Sequence, residues 1–361
     1  MKVKKRLLKP PEGHGELLFC PLPGQDFKPL QGDVSTGTCH QVGFFSPGVA
    51  ARFIFVESAG ERKGKIVFMD TDRGVVEVRV PVRDGETVIL TLIRGDEVLC
   101  FSPPLKKDPV EKFFKNLRYV IKKMISEDCK SVLENITRFY TILLSNLRGH
   151  SLGEQLADSF LQFFDIKSDY ILLSELIKGK EFREFFINIL KDAERFRKVY
   201  NDALDEYRME FRFRYKNFPF QKLTGDELPF WVVKDGRRFQ LKTDEFSPDT
   251  IDRFPVFPKA SPLTMFLRLY YIDVFIHGVG GGNYEWINDR VIERFFHLKP
   301  SPCFVLSLTY YIDGIRERNF PYFFLNSDVI RGLIRPLIKR LDIQARSLPS
   351  KNGIEDFKRL S

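Results

Sequence analysis

Apolar residues along this chain recur at spacings that predict different elements in different stretches. Leu263, Phe266, Leu267, Tyr270, Tyr271, Val274 and Phe275 follow the three-and-four interval of one helix face. A buried helix is therefore expected to run through Phe275. Ile287, Val291, Ile292, Phe295 and Phe296 repeat the interval and predict a second helix over 285–298. Two longer stretches carry stripes close to a coiled-coil repeat: Phe113, Leu117, Val120, Met124, Val132, Ile136, Phe139 and Leu143, then Phe182, Phe185, Ile189, Ala193, Phe196, Tyr200 and Tyr207. With shorter helices over 152–164 and 170–177 between them, they predict an antiparallel helical arm. Such an arm either makes a homodimer or folds back on the core as a bundle.

Short apolar runs bounded by turn residues predict strands at 17–20, 65–69, 75–82, 86–93 and 303–312. A hairpin is expected where 228–233 and 238–243 flank Asp235 and Gly236. Residues 38–48 read as a loop, 49–58 as a helix and 328–341 as a basic helix. The pattern is an α/β fold in three regions. Residues 1–108 form the N-terminal half of the core, 109–218 a helical insertion, and 219–361 the C-terminal half with its glycine-rich loop.

Composition narrows the class. The 361 residues, 43% hydrophobic and 29% charged, suit a soluble globular protein with a large core, and 36 phenylalanines make that core aromatic. A net charge of +9 favours anionic partners such as nucleotides, acidic metabolites or nucleic acid. Five scattered cysteines without a CxxC indicate neither a disulfide framework nor a zinc site. The basic start is followed by Pro10, Pro11 and Glu12, so no signal peptide is expected, and Arg268, Asp273 and His277 interrupt the longest apolar run. These features predict a cytoplasmic protein that does not span a membrane.

Candidate chemistry concentrates in His277-Gly278-Val279-Gly280-Gly281-Gly282-Asn283-Tyr284. Gly278 suits a helix C-terminus, and the glycines precede a helix whose first N–H groups lack partners, so the loop can hold an anion. The same run also suits a tight turn between two helices, and His277 titrates near neutrality unless buried. Asp70 and Asp72 stand at the carboxyl end of a buried strand, where open α/β sheets place ligands. A strip from Arg208 to Phe220 alternates cations with aromatics. It reads either as a grip on single-stranded nucleic acid or, more commonly for such strips, as a packed junction.

Taken together, Thr38-x-His40-Gln41-x-Gly43-Phe-Phe-x-Pro47-Gly48 resembles the Thr-Gly-Gln-Gln-x-Gly segment of the bacillithiol-synthesis cysteine ligases, the cysteine-adding enzymes. It is more similar still to uncharacterised bacterial relatives with Thr-Gly-His-Gln, as are Asp70-Thr-Asp72, Leu228-Pro-Phe-Trp231, Pro258-Lys259-Ala260 and Phe275-Ile-His277-Gly-x-Gly280-Gly281. Cys39 and His40 depart from the ligases, which have glycine and glutamine there. The resemblance implies a Rossmann-like core with an inserted coiled coil that dimerises, and a pocket joining the Gln41 loop, Asp70, Asp72 and the 277–284 loop. An ATP-dependent carbon–nitrogen ligase acting on a small-molecule substrate is the implied function. In that reading His40, Gln41, Asp70, Asp72 and His277 are catalytic candidates. Arg52, Lys259, Gly278, Gly280, Gly281, Gly282, Asn283 and Tyr284 would hold ATP or ADP, with Mg²⁺ on Asp70 and Asp72. The alternatives are a nucleic-acid-binding protein and a non-catalytic assembly module of the same fold.

Overall fold

The computed structural model describes residues 15–22, 25, 34–44, 46–58, 64–81, 87–124, 130–147, 149–210, 220–245, 253–310, 325 and 327–346. In chain order its elements begin with β1 (Gly15–Pro21), β2 (Thr36–Gln41), α1 (Pro47–Ser58), β3 (Gly64–Met69), β4 (Arg73–Pro81) and β5 (Thr87–Val98). Then follow α2 (Lys107–Met124), α3 (Lys130–Ser145), α4 (Leu152–Phe163), β6 (Tyr170–Leu172), α5 (Leu173–Leu176), α6 (Lys180–Lys191) and α7 (Ala193–Glu210). The remainder is β7 (Glu227–Lys234), β8 (Arg237–Lys242), β9 (Val256–Pro258), α8 (Ala260–Phe266), β10 (Val274–His277), α9 (Val279–Val291), β11 (Cys303–Tyr310) and α10 (Ser327–Arg346).

The period-two projection of side chains from a strand gives the main sheet two apolar faces. Ile66, Phe68, Val274, Ile276, Phe304 and Leu306 join one core with α1, α2, α3, α4 and α10. Val67, Phe275, Cys303 and Val305 join the opposite core with α6, α7, α8 and α9. The strand order is β1-β11-β10-β2-β3-β6. Neighbours from β11 to β6 are parallel, and β1 lies antiparallel on the edge. The fold is thus mixed α/β around a largely parallel sheet.

Three expectations about strands change and one stands. Residues 274–277 form a strand between β2 and β11, not the end of a helix: α8 stops at Phe266 and its last turn widens into π-helical geometry over Leu267–Tyr271. A strand buried on both faces has no polar alternation, so its apolar run looked helical. The expected loop from Thr38 begins inside β2, which pairs with β3. Strands β4 and β5 leave the main sheet and build an antiparallel one with β7, β8 and β9, joined between β5 and β8 through Glu97 and Arg237. The expected hairpin is present, with Asp235 and Gly236 both at positive φ, as a two-residue turn demands.

The helical insertion does not project. Phe113 of α2 stacks on Phe44 at 5.9 Å, and Phe139 of α3 meets Phe163 at 5.5 Å, on the face of α1. On the opposite face Phe186 of α6 packs on Phe230 at 4.9 Å and Phe196 of α7 on Phe295 at 5.1 Å. The stripes expected to form a dimer seam are covered within one chain, and β6, inside the supposed insertion, extends the main sheet by pairing with β3. Among the described residues no helix is long and apolar enough to cross a membrane, and the described cysteines, Cys20, Cys39, Cys100 and Cys303, are free thiols.

Candidate functional site

Strand β2 runs through α1 to β3 on one side, whereas β10 runs through α9 to β11 on the other, and α1 and α9 lie in opposite cores. The strand order therefore reverses between β2 and β10, which leaves a crevice at their carboxyl ends. Gly278 marks that edge as the N-cap of α9, with φ −82° and no side-chain cap. This corrects its expected place at a helix C-terminus. The glycine run lies inside the first turn of α9, where the N–H groups of Val279, Gly280 and Gly281 precede the first intrahelical bond, from Gly282 N to Gly278 O at 2.8 Å.

Close approach explains the glycines. A Cβ on Gly278 would lie 2.2 Å from Arg52 Nη1, and one on Gly281 would lie 1.5 Å from His277 Cε1. A Cβ on Gly280 meets nothing within 4 Å, so this residue borders open space. Three requirements meet here: a guanidinium against the backbone, an imidazole under the first turn, and room above it.

Arg52 is 7% exposed, and its Nε is fully buried without a partner. Among the described residues it makes no hydrogen bond or ion pair, and burial draws its pKa down to about 10, which leaves it charged at neutral pH. Burial, with Arg52 beside them, also lowers the pKa of His40 and of His277 to about 3. Both imidazoles are neutral. His277 Nδ1 accepts from Gly278 N at 2.9 Å, so its proton sits on Nε2, facing Tyr284 Oη at 3.5 Å and Glu285 Oε1 at 3.7 Å. His40 donates from Nδ1 to Gln41 O at 3.1 Å, which puts the lone pair on Nε2. Burial pushes the Cys39 thiol up to about 12 and rules it out as the nucleophile of this site.

A polar chain continues from β2 to the second sheet. Gln41 Nε2 donates to Asp72 Oδ2, and Arg238 Nη1 donates to Asp72 Oδ1 at 2.6 Å. The Arg238 guanidinium lies 5.0 Å from the Trp231 ring centroid, and Lys259 Nζ lies 4.1 Å from the same centroid while donating to Gln240 Oε1. Burial lowers the Lys259 pKa. Lys259 is thus tied to the second sheet and is linked to the crevice only through Trp231, Arg238 and Asp72.

Asp70 does something else. Its side chain is wholly buried, and its two oxygens accept from Ser174 N at 2.9 Å and Ser174 Oγ at 2.5 Å. The pair expected to hold Mg²⁺ is therefore committed, Asp70 to Ser174 in α5 and Asp72 to Arg238 and Gln41. With both carboxylates engaged, this pair does not fit a resident Mg²⁺, and among the described residues no group of three or more His, Cys, Asp or Glu side chains is placed to hold a metal ion.

Of the remaining expectations, Tyr284 packs on Phe220 at 4.4 Å and lies under the influence of Arg52. Asn283 is exposed on the outer side of α9. Gly282 borders Val305, where a Cβ would lie 2.3 Å from a methyl carbon. Most of the Arg208–Phe220 strip, residues 211–219, lies outside the described residues; Phe220 is buried. Residue-level reading missed Arg238, Arg268 and the buried role of Glu285. Arg268 Nη1 donates to Glu285 Oε2 and Nη2 to Asp289 Oδ1, each at 2.6 Å, and Ser301 O accepts from the same guanidinium. A charged residue inside an apolar helical stripe was the available signal. Compared with family models and with the curated proteins, the chain matches none.

Proposed function

We propose that this chain binds an anionic small molecule, a nucleotide phosphate being the first candidate, where its Rossmann-like core reverses direction, and that it acts as an ATP-dependent carbon–nitrogen ligase. One observation carries the reading: Arg52 is buried, charged and, among the described residues, without a carboxylate, against the uncapped N-terminus of α9. A buried cation without a partner costs several kcal/mol, roughly, unless a ligand supplies the countercharge. The helix dipole and the N–H groups of Val279, Gly280 and Gly281 favour the same sign of ligand.

In this role Arg52 and the α9 amides stabilise charge on phosphate oxygens, in a site whose histidines stay neutral and do not compete as cations. The ligase class comes from the resemblance of the His40–Gln41 and His277–Gly281 segments to the cysteine ligases. No step is assigned to a protein-bound metal, because Asp70 and Asp72 are engaged elsewhere.

The test is calorimetric titration with ATP and ADP, with and without Mg²⁺, on the wild type, Arg52→Met and His277→Ala. The expected outcome is nucleotide binding that weakens at least tenfold in Arg52→Met, the size of one charge-assisted contact of about 1.5–3 kcal/mol. Absence of nucleotide binding to the wild type overturns the ATP-dependent reading, and binding of inorganic phosphate alone would keep the anion site without the ligase.

A further inference from the structure

The polarity of Gln41 is decided by its neighbours, and this defines what stands beside the anion. Gln41 ends β2, next to β10, and Thr38 Oγ1 donates to Ile276 O at 2.8 Å, so the two strands remain adjacent toward their carboxyl ends. Gln41 lies two residues beyond Cys39, which belongs to the core on the α9 side, and directly after His40, whose ring Arg52 and His277 influence. Gln41 therefore borders the proposed anion site. Its amide could present either a donor or an acceptor to a ligand. Asp72 removes that choice: paired with the Arg238 guanidinium at 2.6 Å, its carboxylate accepts and does not donate, so it commits Gln41 Nε2. Gln41 Oε1 makes no hydrogen bond among the described residues, and it is not among the fully buried atoms that lack partners.

We propose that Gln41 is a specificity-determining acceptor, which selects a ligand bearing an N–H or O–H donor close to its anionic group, with Asp72 and Arg238 as positioning residues. The inference rests on the anion-site reading of Arg52 and deepens it. The ligand class is a phosphorylated amine or alcohol rather than a phosphate whose neighbouring carbons are apolar. An amine there fits the acyl acceptor of a ligase, and a hydroxyl fits a sugar.

Matched probes separate the two layers. Binding of inorganic phosphate, phosphoethanolamine, ethyl phosphate, 3-aminopropyl phosphate, propyl phosphate and 2-hydroxyethyl phosphate is measured by ligand-detected NMR titration on the full chain. Wild type is expected to prefer at least one donor-bearing probe over its apolar counterpart by about tenfold, the value of one added hydrogen bond to a well-placed acceptor. The amine and hydroxyl arms show which donor is taken. In Gln41→Met the preference collapses toward unity. In Asp72→Asn, where Arg238 loses its anion and the Gln41 amide can turn, the preference falls part of the way and also survives any misfolding of the first variant. The ratio is read within each variant, so a general loss of affinity does not imitate the effect. No discrimination in the wild type, or discrimination that persists in Gln41→Met, overturns the role of Gln41 while phosphate binding still supports Arg52. Failure of every probe, inorganic phosphate included, overturns the anion site itself.

Discussion

Two arginines are buried among the described residues, and they differ in the one respect that matters for a buried cation. Arg268 is 3% exposed and bonded to Glu285, Asp289 and Ser301 O. Burial disfavours its charge, yet the two carboxylates more than offset this and raise its pKa. Arg52 is 7% exposed and has neither carboxylate nor carbonyl among the described residues. A saturated cation is architecture; an unsaturated one held against an uncapped helix is a place for something else. The carboxylates divide the same way: Asp70 is satisfied by Ser174, whereas Asp72 hands its polarity on to Gln41.

The largest effect expected from breaking this contrast is at Arg268. Arg268→Met leaves Glu285 buried and unpaired and should cost about 3–5 kcal/mol in urea unfolding. Asp70→Ala orphans the part-buried Ser174 N–H and leaves a cavity at a wholly buried position; the expected loss is about 2–3 kcal/mol, with anion binding retained in whatever fraction folds. Arg52→Met goes the other way. Apo stability should change by less than about 1 kcal/mol or rise, while the stabilisation of roughly 2.7 kcal/mol that an anion at 100 times its Kd confers on wild type falls to about 1.4 kcal/mol or less at the same concentration. A large apo loss in Arg52→Met would show that its cation is structural and sink the contrast.

Proton linkage sharpens the comparison. His40 and His277 bind a proton near pH 3 when folded but near 6.5 when unfolded. Between those values the unfolded chain holds more protons, so stability falls as pH drops below 6.5, by up to about 1.4 kcal/mol per pH unit for each histidine. Urea midpoints of wild type, His40→Gln and His277→Gln at pH 7 and 5 test this, and equal losses in all three would remove the histidines from the account. The smallest effect is at Gly280, whose Cβ position is open. Gly280→Ala should stabilise by no more than about 1 kcal/mol through helix propensity and yet weaken phosphate binding, because the methyl enters the ligand's space.

Much of this was legible residue by residue. The 3.5-like stripes of 113–143 and 182–207 announced helices, and the apolar run of β3 ending at Asp70 announced a buried strand. The glycine run announced a close approach to the backbone before a helix, while Gly278 read as the end of the preceding helix and is the N-cap of α9. Val274 to His277 looks helical because Val274 and Phe275 continue the three-and-four interval of Leu263, Phe266, Leu267, Tyr270 and Tyr271. Its β-branched residues and Asp273, which accepts from Ser35 N at 2.8 Å, were the only marks of a strand. Asp70 and Asp72 looked like a pair because they are two residues apart, and their partners, Ser174 and Arg238, lie more than a hundred residues away.

By itself, the sequence determined which faces are apolar, where the chain can turn, and that a positive, glycine-lined helix start exists, since these follow from periodicity, backbone sterics and charge within a few residues. Only the tertiary structure decided which polar groups are left unsatisfied. Hydrogen bonds and ion pairs over 104, 166 or 17 residues exist only once the sheet has brought β2, β3 and β10 together. That assembly saturates Asp70 and Arg268, and among the described residues it leaves Arg52 without a carboxylate, beside two imidazoles that burial keeps neutral.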